Sequence, residues 1–265
     1  MDTGQLARPC GKFSIPLLKL GMRGVLRLVL MGLVGLHIAA KADPAMSQPA
    51  ACPESASFET PEGQLDHFQA AVRSGNPVNI LALGSASSAD GAQGFVSHAI
   101  QALRTALPRV NFHLTVFARH GMTADEMLSH LKEALAQNQY PLVLWQTGTV
   151  EAVEGARPEE FASELQEGAE LIVAQNGNLV LIDQQFSRFL RANTDLRPYS
   201  AAIEAAASIP GAGVFRRYDL MHAWVDDGAL DVERTPRPQA AAVVARLHHC
   251  LGDALARYLL AGIER

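Results

Sequence analysis

The sequence predicts an α/β fold, a three-layer α/β/α sandwich around a five-stranded parallel sheet. Three observations carry that expectation. Short apolar, β-branched runs alternate with longer stretches of helical period, which is the pattern of βαβ units. The short runs are close to apolar throughout, as strands covered on both faces are. The 265 residues, 48% apolar and 18% charged, suffice for one sizeable core behind a leader.

The leader comes first. Basic residues Arg8, Lys12, Lys19, Arg23 and Arg27 precede an apolar run over 28–40, which ends at Ala40-Lys41-Ala42 ahead of Asp43-Pro44. Basic region, short apolar region and A-x-A site follow the order of a cleavable secretory signal, here 1–42 with cleavage near Ala42. The apolar run falls short of the ~20 residues a membrane span needs. An uncleaved signal anchor is the alternative. With cleavage, no stable membrane span remains, and the location is periplasmic or secreted. Residues 43–62, rich in Ala, Ser, Pro and Glu, read as a flexible leader to a domain over 63–265. Cys52 and Cys250 remain after cleavage. In an oxidising compartment an even pair reads as a disulfide joining the mature N-terminus to the last helix, the alternative being two buried thiols.

The strands are expected at 78–83, 112–117, 142–145, 179–182 and 214–215. Helical periods fall near 64–74, 94–106, 123–137, 158–174, 198–208 and 237–262. In the last of these Val244, Leu247, Leu251, Ala254, Tyr258 and Leu259 share one stripe, with Thr235 and Pro236 as N-cap and first helical residue. Opposite charges are mixed along the chain and the net charge is −5, so there is no basic stripe of the kind nucleic acid needs.

In an open parallel sheet, ligands bind beyond the carboxyl ends of the strands. The residues there are Gly84-Ser85-Ala86-Ser87-Ser88, Arg119-His120-Gly121, Thr147 to Glu151 (with Gly148, Thr149 and Val150), Gln184-Gln185, and Arg217-Tyr218-Asp219. Metal and cofactor signatures such as H-E-x-x-H, C-x-x-C and phosphate loops do not occur, and His248-His249 are adjacent on a helix and cannot share an ion. Neither a metal nor a cofactor is expected. Trp145, inside a strand, reads as core, whereas Trp224, near Asp226, Asp227 and Gly228, is the better candidate to stack on a sugar.

Four of these segments resemble the SGNH (GDSL-type) hydrolases. Residues 80–87, ending Gly84-Ser85-Ala86-Ser87, resemble the strand and turn bearing the family's G-D-S nucleophile, and Gly121 matches the oxyanion glycine. Residues 142–151 resemble the strand that ends in G-x-N-D, and Asp227 to Pro236 resemble the D-x-x-H-P segment. The resemblance implies an SGNH-hydrolase-like domain with flavodoxin-like winding. It also implies ester hydrolysis or acyl removal on an acylated carbohydrate or lipid of the cell envelope. The departures fall on the chemistry. Position by position, the nucleophile is Ala86, the oxyanion asparagine is Val150, and the histidine is Arg234 or Thr235. None can attack, donate to an oxyanion or act as a neutral-pH base in the family's way. Two readings stay open. One is an esterase with Ser85 or Ser87 as nucleophile, His120 as base and Glu151 as orienter. The other is a non-catalytic relative that binds a glycan or a partner. On either reading Gly84, Gly121, Gly148, Thr149, Gln184, Trp224 and Asp231 are the expected substrate contacts.

Overall fold

The computed structural model describes residues 51–85, 87 and 93–264. The expected signal peptide over 1–42, the start of the expected leader and Ala86 lie outside the described residues. A single sheet holds β1 (Val78–Gly84), β2 (Phe112–Ala118), β3 (Leu142–Gln146), β4 (Asn178–Ile182) and β5 (Ala212–Phe215). All pairings are parallel and the order is β2-β1-β3-β4-β5. That is the doubly wound arrangement in which the chain reverses direction beside β1, leaving a crevice between the carboxyl ends of β1 and β3.

The helices are α1 (Asp66–Arg73), α2 (Phe95–Ala106), α3 (Ala124–Gln137), α4 (Thr149–Glu154), α5 (Pro158–Ala174), α6 (Arg188–Asn193), α7 (Arg197–Ala207), α8 (Arg217–Asp226) and α9 (Arg237–Ile263). Successive strand residues point to opposite faces, so the sheet feeds two cores. Ile80, Ala82, Leu142, Leu144, Val180, Ile182 and Phe215 pack with α1, α2 and α9. Leu81, Leu83, Val143, Trp145, Leu179, Leu181 and Val214 pack with α3, α5 and α7. Trp145 is core, as its position in the strand implies, with its indole N–H 3.1 Å from the Met127 sulfur. The five strands and six long helices fall within two residues of their expected ends. The three further helices at the rim, the six-residue α4 and α6 and the weakly amphipathic α8, carry no period clear enough to read.

The last helix starts later than expected. Pro236 is the N-cap, Arg237 opens the helix, and the Thr235 hydroxyl instead donates to the Asp231 carbonyl. Within the stripe Leu247, Leu251, Ala254, Tyr258 and Leu259 are buried and Val244 is half-buried. The described part of the leader, 51–62, lies against this helix. A Cys52–Cys250 disulfide ties the two, Trp224 Nε1 donates to the Glu54 carbonyl at 2.8 Å, and Arg257 reaches Ser55 Oγ and Glu59.

Where α9 crosses α2, Gly252 lets the backbones approach. A Cβ there would lie 2.4 Å from His98 Cβ, 2.7 Å from the Phe95 carbonyl oxygen and 2.9 Å from the Ala99 nitrogen. Backbone cannot yield as a side-chain tip can. Gly252→Ala is therefore expected to cost about 2 kcal/mol or more, read as a lower urea midpoint with an unchanged slope.

Candidate functional site

At the carboxyl ends of β1, β2 and β3 lies a cleft of about 240 Å3. Ser85, Ser87, His120, Gly121, Gln146, Thr149, Val150, Val153, Glu154 and Gln185 line it. The fold thus brings Ser85, Ser87, His120, Gly121, Thr149 and Val150 to one mouth. Ser85 and Ser87 follow β1, whose last residue is Gly84. His120 and Gly121 follow β2, where a left-handed Gly121 (φ 71°) turns the chain into α3. Gly148 (φ 87°) turns β3 into α4, whose first two residues are Thr149 and Val150.

The polar groups of the mouth are already engaged. Ser87 Oγ donates to Gln146 Oε1 at 3.1 Å, and Gln146 Nε2 donates to Ser85 Oγ at 3.2 Å. Arg217 Nη1 donates to Ser87 Oγ from behind at 3.4 Å. Among the described residues neither serine hydrogen bonds His120, whose ring is exposed. Thr149 Oγ1 accepts the Gln185 N–H at 3.1 Å. Val150 and Val153 add an apolar edge, and Val153 is one of the few large apolar side chains left exposed.

Glu151 does not face this group. Its side chain is buried, with Oε1 accepting the Ala124 N–H at 2.7 Å and Oε2 accepting the Gly148 N–H at 2.8 Å. Burial pushes its carboxyl above the usual range, and the amide hydrogen bonds pull it back. The role of orienter for His120 thus gives way to that of a brace between two turns.

The other expected contacts scatter. Trp224, expected at the rim, is 1% exposed and belongs to the core, where its ring cannot stack on a sugar. Asp231 pairs with Arg188 at 2.9 Å and accepts the Arg234 N–H, while Glu233 accepts Ser187 Oγ and the N–H groups of Arg188 and Phe189. Residues 231–235 clasp the start of α6 and do not line the serine cleft. Gln184 is buried, accepts Ser200 Oγ at 3.3 Å, and lines a second cleft of about 380 Å3 beside β4 and β5 with Asp183, Arg216, Tyr218 and Asp219.

Two residues of the site were missed by the sequence reading. Gln146 closes β3 and carries the serine network. Arg217 was noted only as a rim residue, yet it is 1% exposed, with its guanidinium carbon 5.8 Å from the Phe95 ring centre. Burial lowers its pKa to about 10, with Asp183 opposing. Asp183 accepts the Tyr218 N–H at 2.8 Å, yet burial pushes its carboxyl up to about 7 against the pull of that bond, Arg217 and Arg216. For a metal, the ligand atoms of Cys52, His249 and Asp253 lie within 4.8 Å of one another, but the disulfide occupies the Cys52 sulfur and leaves only two donors.

Residues 51–265 match the non-GDSL lipase-like family. The chain belongs to that family. The SGNH/GDSL-type resemblance is thereby met at the level of family and fold. Solved structures of similar fold include LAE5, an α/β hydrolase enzyme from the metagenome of Lake Arreo, Spain (TM-score 0.53, 13% identity, 68% of this chain and 98% of that one). A mutant of Axe2, an acetyl-xylooligosaccharide esterase from Geobacillus stearmophilus, aligns with TM-score 0.52 at 13% identity over 64% of this chain and 91% of that one. A two-domain esterase, CEX, active on acetylated mannans, aligns with TM-score 0.52 at 13% identity over 73% of this chain and 54% of that one. At such identity the likeness speaks to fold. No curated protein matches the sequence.

Two outcomes follow from the buried carboxylates. Glu151→Ala strands two buried N–H groups and is expected to lower stability by about 2–4 kcal/mol, measured by urea unfolding. Asp183 has its folded pKa raised from 3.8 to about 7, so its contribution is fully present in acid and is lost as pH rises through about 7. Asp183→Asn is therefore expected to melt above the parent at alkaline pH, with the advantage gone at acid pH. Thermal melts across that range check it.

Proposed function

We propose that this is an exported relative of the SGNH/GDSL-type esterases whose cleft binds an acylated carbohydrate or lipid of the cell envelope without hydrolysing it. One observation carries the reading: the serine hydroxyls of the cleft are paired with an amide, Gln146, and with a guanidinium, Arg217, rather than with an imidazole. A hydroxyl becomes a nucleophile when a base within hydrogen-bond reach takes its proton. Gln146 cannot accept a proton at neutral pH, and Arg217, even lowered to about 10, stays charged there. The Glu151 side chain is buried between two backbone amides and, among the described residues, makes no hydrogen bond to His120. At the position that resembles the family's oxyanion asparagine stands Val150, which brings an isopropyl group to the cleft wall.

The ligand class is supported by the make-up of the wall. Two hydroxyls, an amide and Thr149 offer donors and acceptors for sugar hydroxyls, while Val150 and Val153 offer an apolar edge for an acyl group. Two of the fold's relatives, Axe2 and CEX, act on acetylated carbohydrates. Export is supported by the basic–apolar–A-x-A order of the N-terminus and by the paired cysteines. None of the described helices is long and apolar enough to cross a membrane.

The second reading, an active serine esterase, draws on one fact: Ser85, Ser87, His120 and Gly121 share the same cleft. The two readings separate in one experiment. The protein and its Ser85→Ala, Ser87→Ala and His120→Ala variants are assayed with p-nitrophenyl acetate and a fluorophosphonate probe. Turnover and labelling indistinguishable among the four are expected. Labelling of the parent that Ser87→Ala or Ser85→Ala abolishes would establish the esterase instead.

A further inference from the structure

The leader and α9 enclose a third cleft, of about 540 Å3, which shares no residue with the two described above. Cys52, Glu54, Glu59, His249, Asp253 and Arg257 are among the residues that line it. Three carboxylates are thus set against one guanidinium. That guanidinium is already engaged: Arg257 Nε pairs with Glu59 at 2.7 Å, and its Nη2 donates to Ser55 Oγ at 2.8 Å.

Three donors of different kinds converge in this cleft. His249 and Asp253 stand one turn apart on α9, with Nε2 3.5 Å from Oδ2. Cys52 Sγ comes to 3.9 Å from the same Oδ2, and the ligand atoms of all three residues lie within 4.8 Å of one another. A tetrahedral zinc ion, with bonds of about 2.3 Å to sulfur and about 2.0–2.2 Å to nitrogen and oxygen, holds its donors about 3.4–3.6 Å apart. The separations in the protein are close to that spacing before any ion draws them in. Thiolate, imidazole and carboxylate together suit zinc, whereas calcium and magnesium take oxygen donors.

The disulfide keeps the sulfur out of this set, and the sulfur can be freed. Cys250 is fully buried, whereas Cys52 is half-buried and lines the cleft, so a thiol arriving from solvent meets Cys52. The thiolate of a dithiol reductant attacks Cys52 Sγ, the S–S bond breaks, and Cys250 leaves as thiolate and takes up a proton. The second thiol of the reductant then displaces Cys52 and closes the reductant's own disulfide, so two electrons pass to the cysteines. Cys52 gives its proton to solvent as it binds the ion. The backbone on either side of Cys52 is anchored without the disulfide. Arg246 Nη2 donates to the Ala51 carbonyl at 2.7 Å, and Trp224 Nε1 donates to the Glu54 carbonyl at 2.8 Å. Opening the S–S bond therefore leaves the sulfur beside His249 and Asp253.

We propose that the reduced protein holds a zinc ion on Cys52 Sγ, His249 Nε2 and Asp253 Oδ2, with the fourth position open to the cleft, so that the metal replaces the disulfide as the tie between leader and α9. The site is separate from the serine cleft and does not depend on what that cleft binds.

The test uses the full chain carrying Cys10→Ser, which leaves Cys52 and Cys250 as its only cysteines. Dithiothreitol reduces the protein and is removed without air. Zinc is then titrated against a chromogenic chelator, with cobalt(II) as a spectroscopic probe. One ion per chain and the charge-transfer band of a cobalt–thiolate bond are expected. The disulfide form, and the reduced His249→Ala and Asp253→Asn variants, are each expected to bind about tenfold more weakly or worse. Cys250→Ser frees Cys52 with no reductant and is expected to bind, whereas Cys52→Ser is not. Equal zinc affinity in the reduced and disulfide forms, a cobalt spectrum without the thiolate band, or equal binding by the two single-cysteine variants overturns the proposal. Should the reduced chain lose its fold, refolding on addition of zinc supports the site, and failure to refold overturns it.

Discussion

The walls of the cleft are held in place by one buried carboxylate. Glu151 accepts the N–H of Ala124, the first residue of α3, and that of Gly148, the turn residue ahead of α4. Those amides open two different crossovers, so a single side chain fixes the distance between the β2 edge carrying His120 and Gly121 and the β3 edge carrying Thr149 and Val150. The arrangement suits a carboxylate: it places negative charge at two helix N-termini and satisfies donors that have no partner inside the helices. It also has a chemical consequence. Drawn inward between these two amides, the side chain makes no hydrogen bond to His120 among the described residues, so it serves as a brace and not as an orienter of that imidazole.

Below the mouth the polar chain runs inward rather than out to solvent. Ser85 and Ser87 meet Gln146 at the end of β3, and Arg217 at the start of α8 closes on Ser87 from beneath. Asp183, at the end of β4, completes the group through the Tyr218 amide and its charge on Arg217. Three strand ends thus contribute amide, carboxyl and guanidinium to one desolvated floor. In such surroundings each charge is felt more strongly than in water, and an unmatched one is costly.

The fold was legible because it is written in periods. Apolar strand residues such as Ile80 to Leu83 and the stripe of α9 report burial through their spacing alone. The convergence of Ser85, Ser87, His120 and Gly121 was legible for a related reason: strand ends in a parallel sheet share one edge. What could not be read was direction and depth. Glu151 sits where a rim acid would, and only coordinates reveal that its side chain turns back to the amides. Trp224 stands among aspartates and a glycine, and α8 is too weakly amphipathic to declare its inner face, yet the indole goes into the core. Arg217 is the strongest case, since arginine is rarely buried and nothing local marks this one. Its neighbours Phe95, Asp183 and Ser87 come from three separate parts of the chain.

The same facts bear on what kind of molecule this is. If the cleft were a leftover of hydrolysis with no present use, the least costly floor would be apolar, because a buried guanidinium with two unpartnered nitrogens among the described residues weakens the fold wherever it is charged. If instead the cleft performed ordinary ester hydrolysis, the serine oxygens would be expected to face a base. Among the described residues neither condition is met: the guanidinium keeps Nε and Nη2 without partners, and the cleft serines face an amide rather than a base.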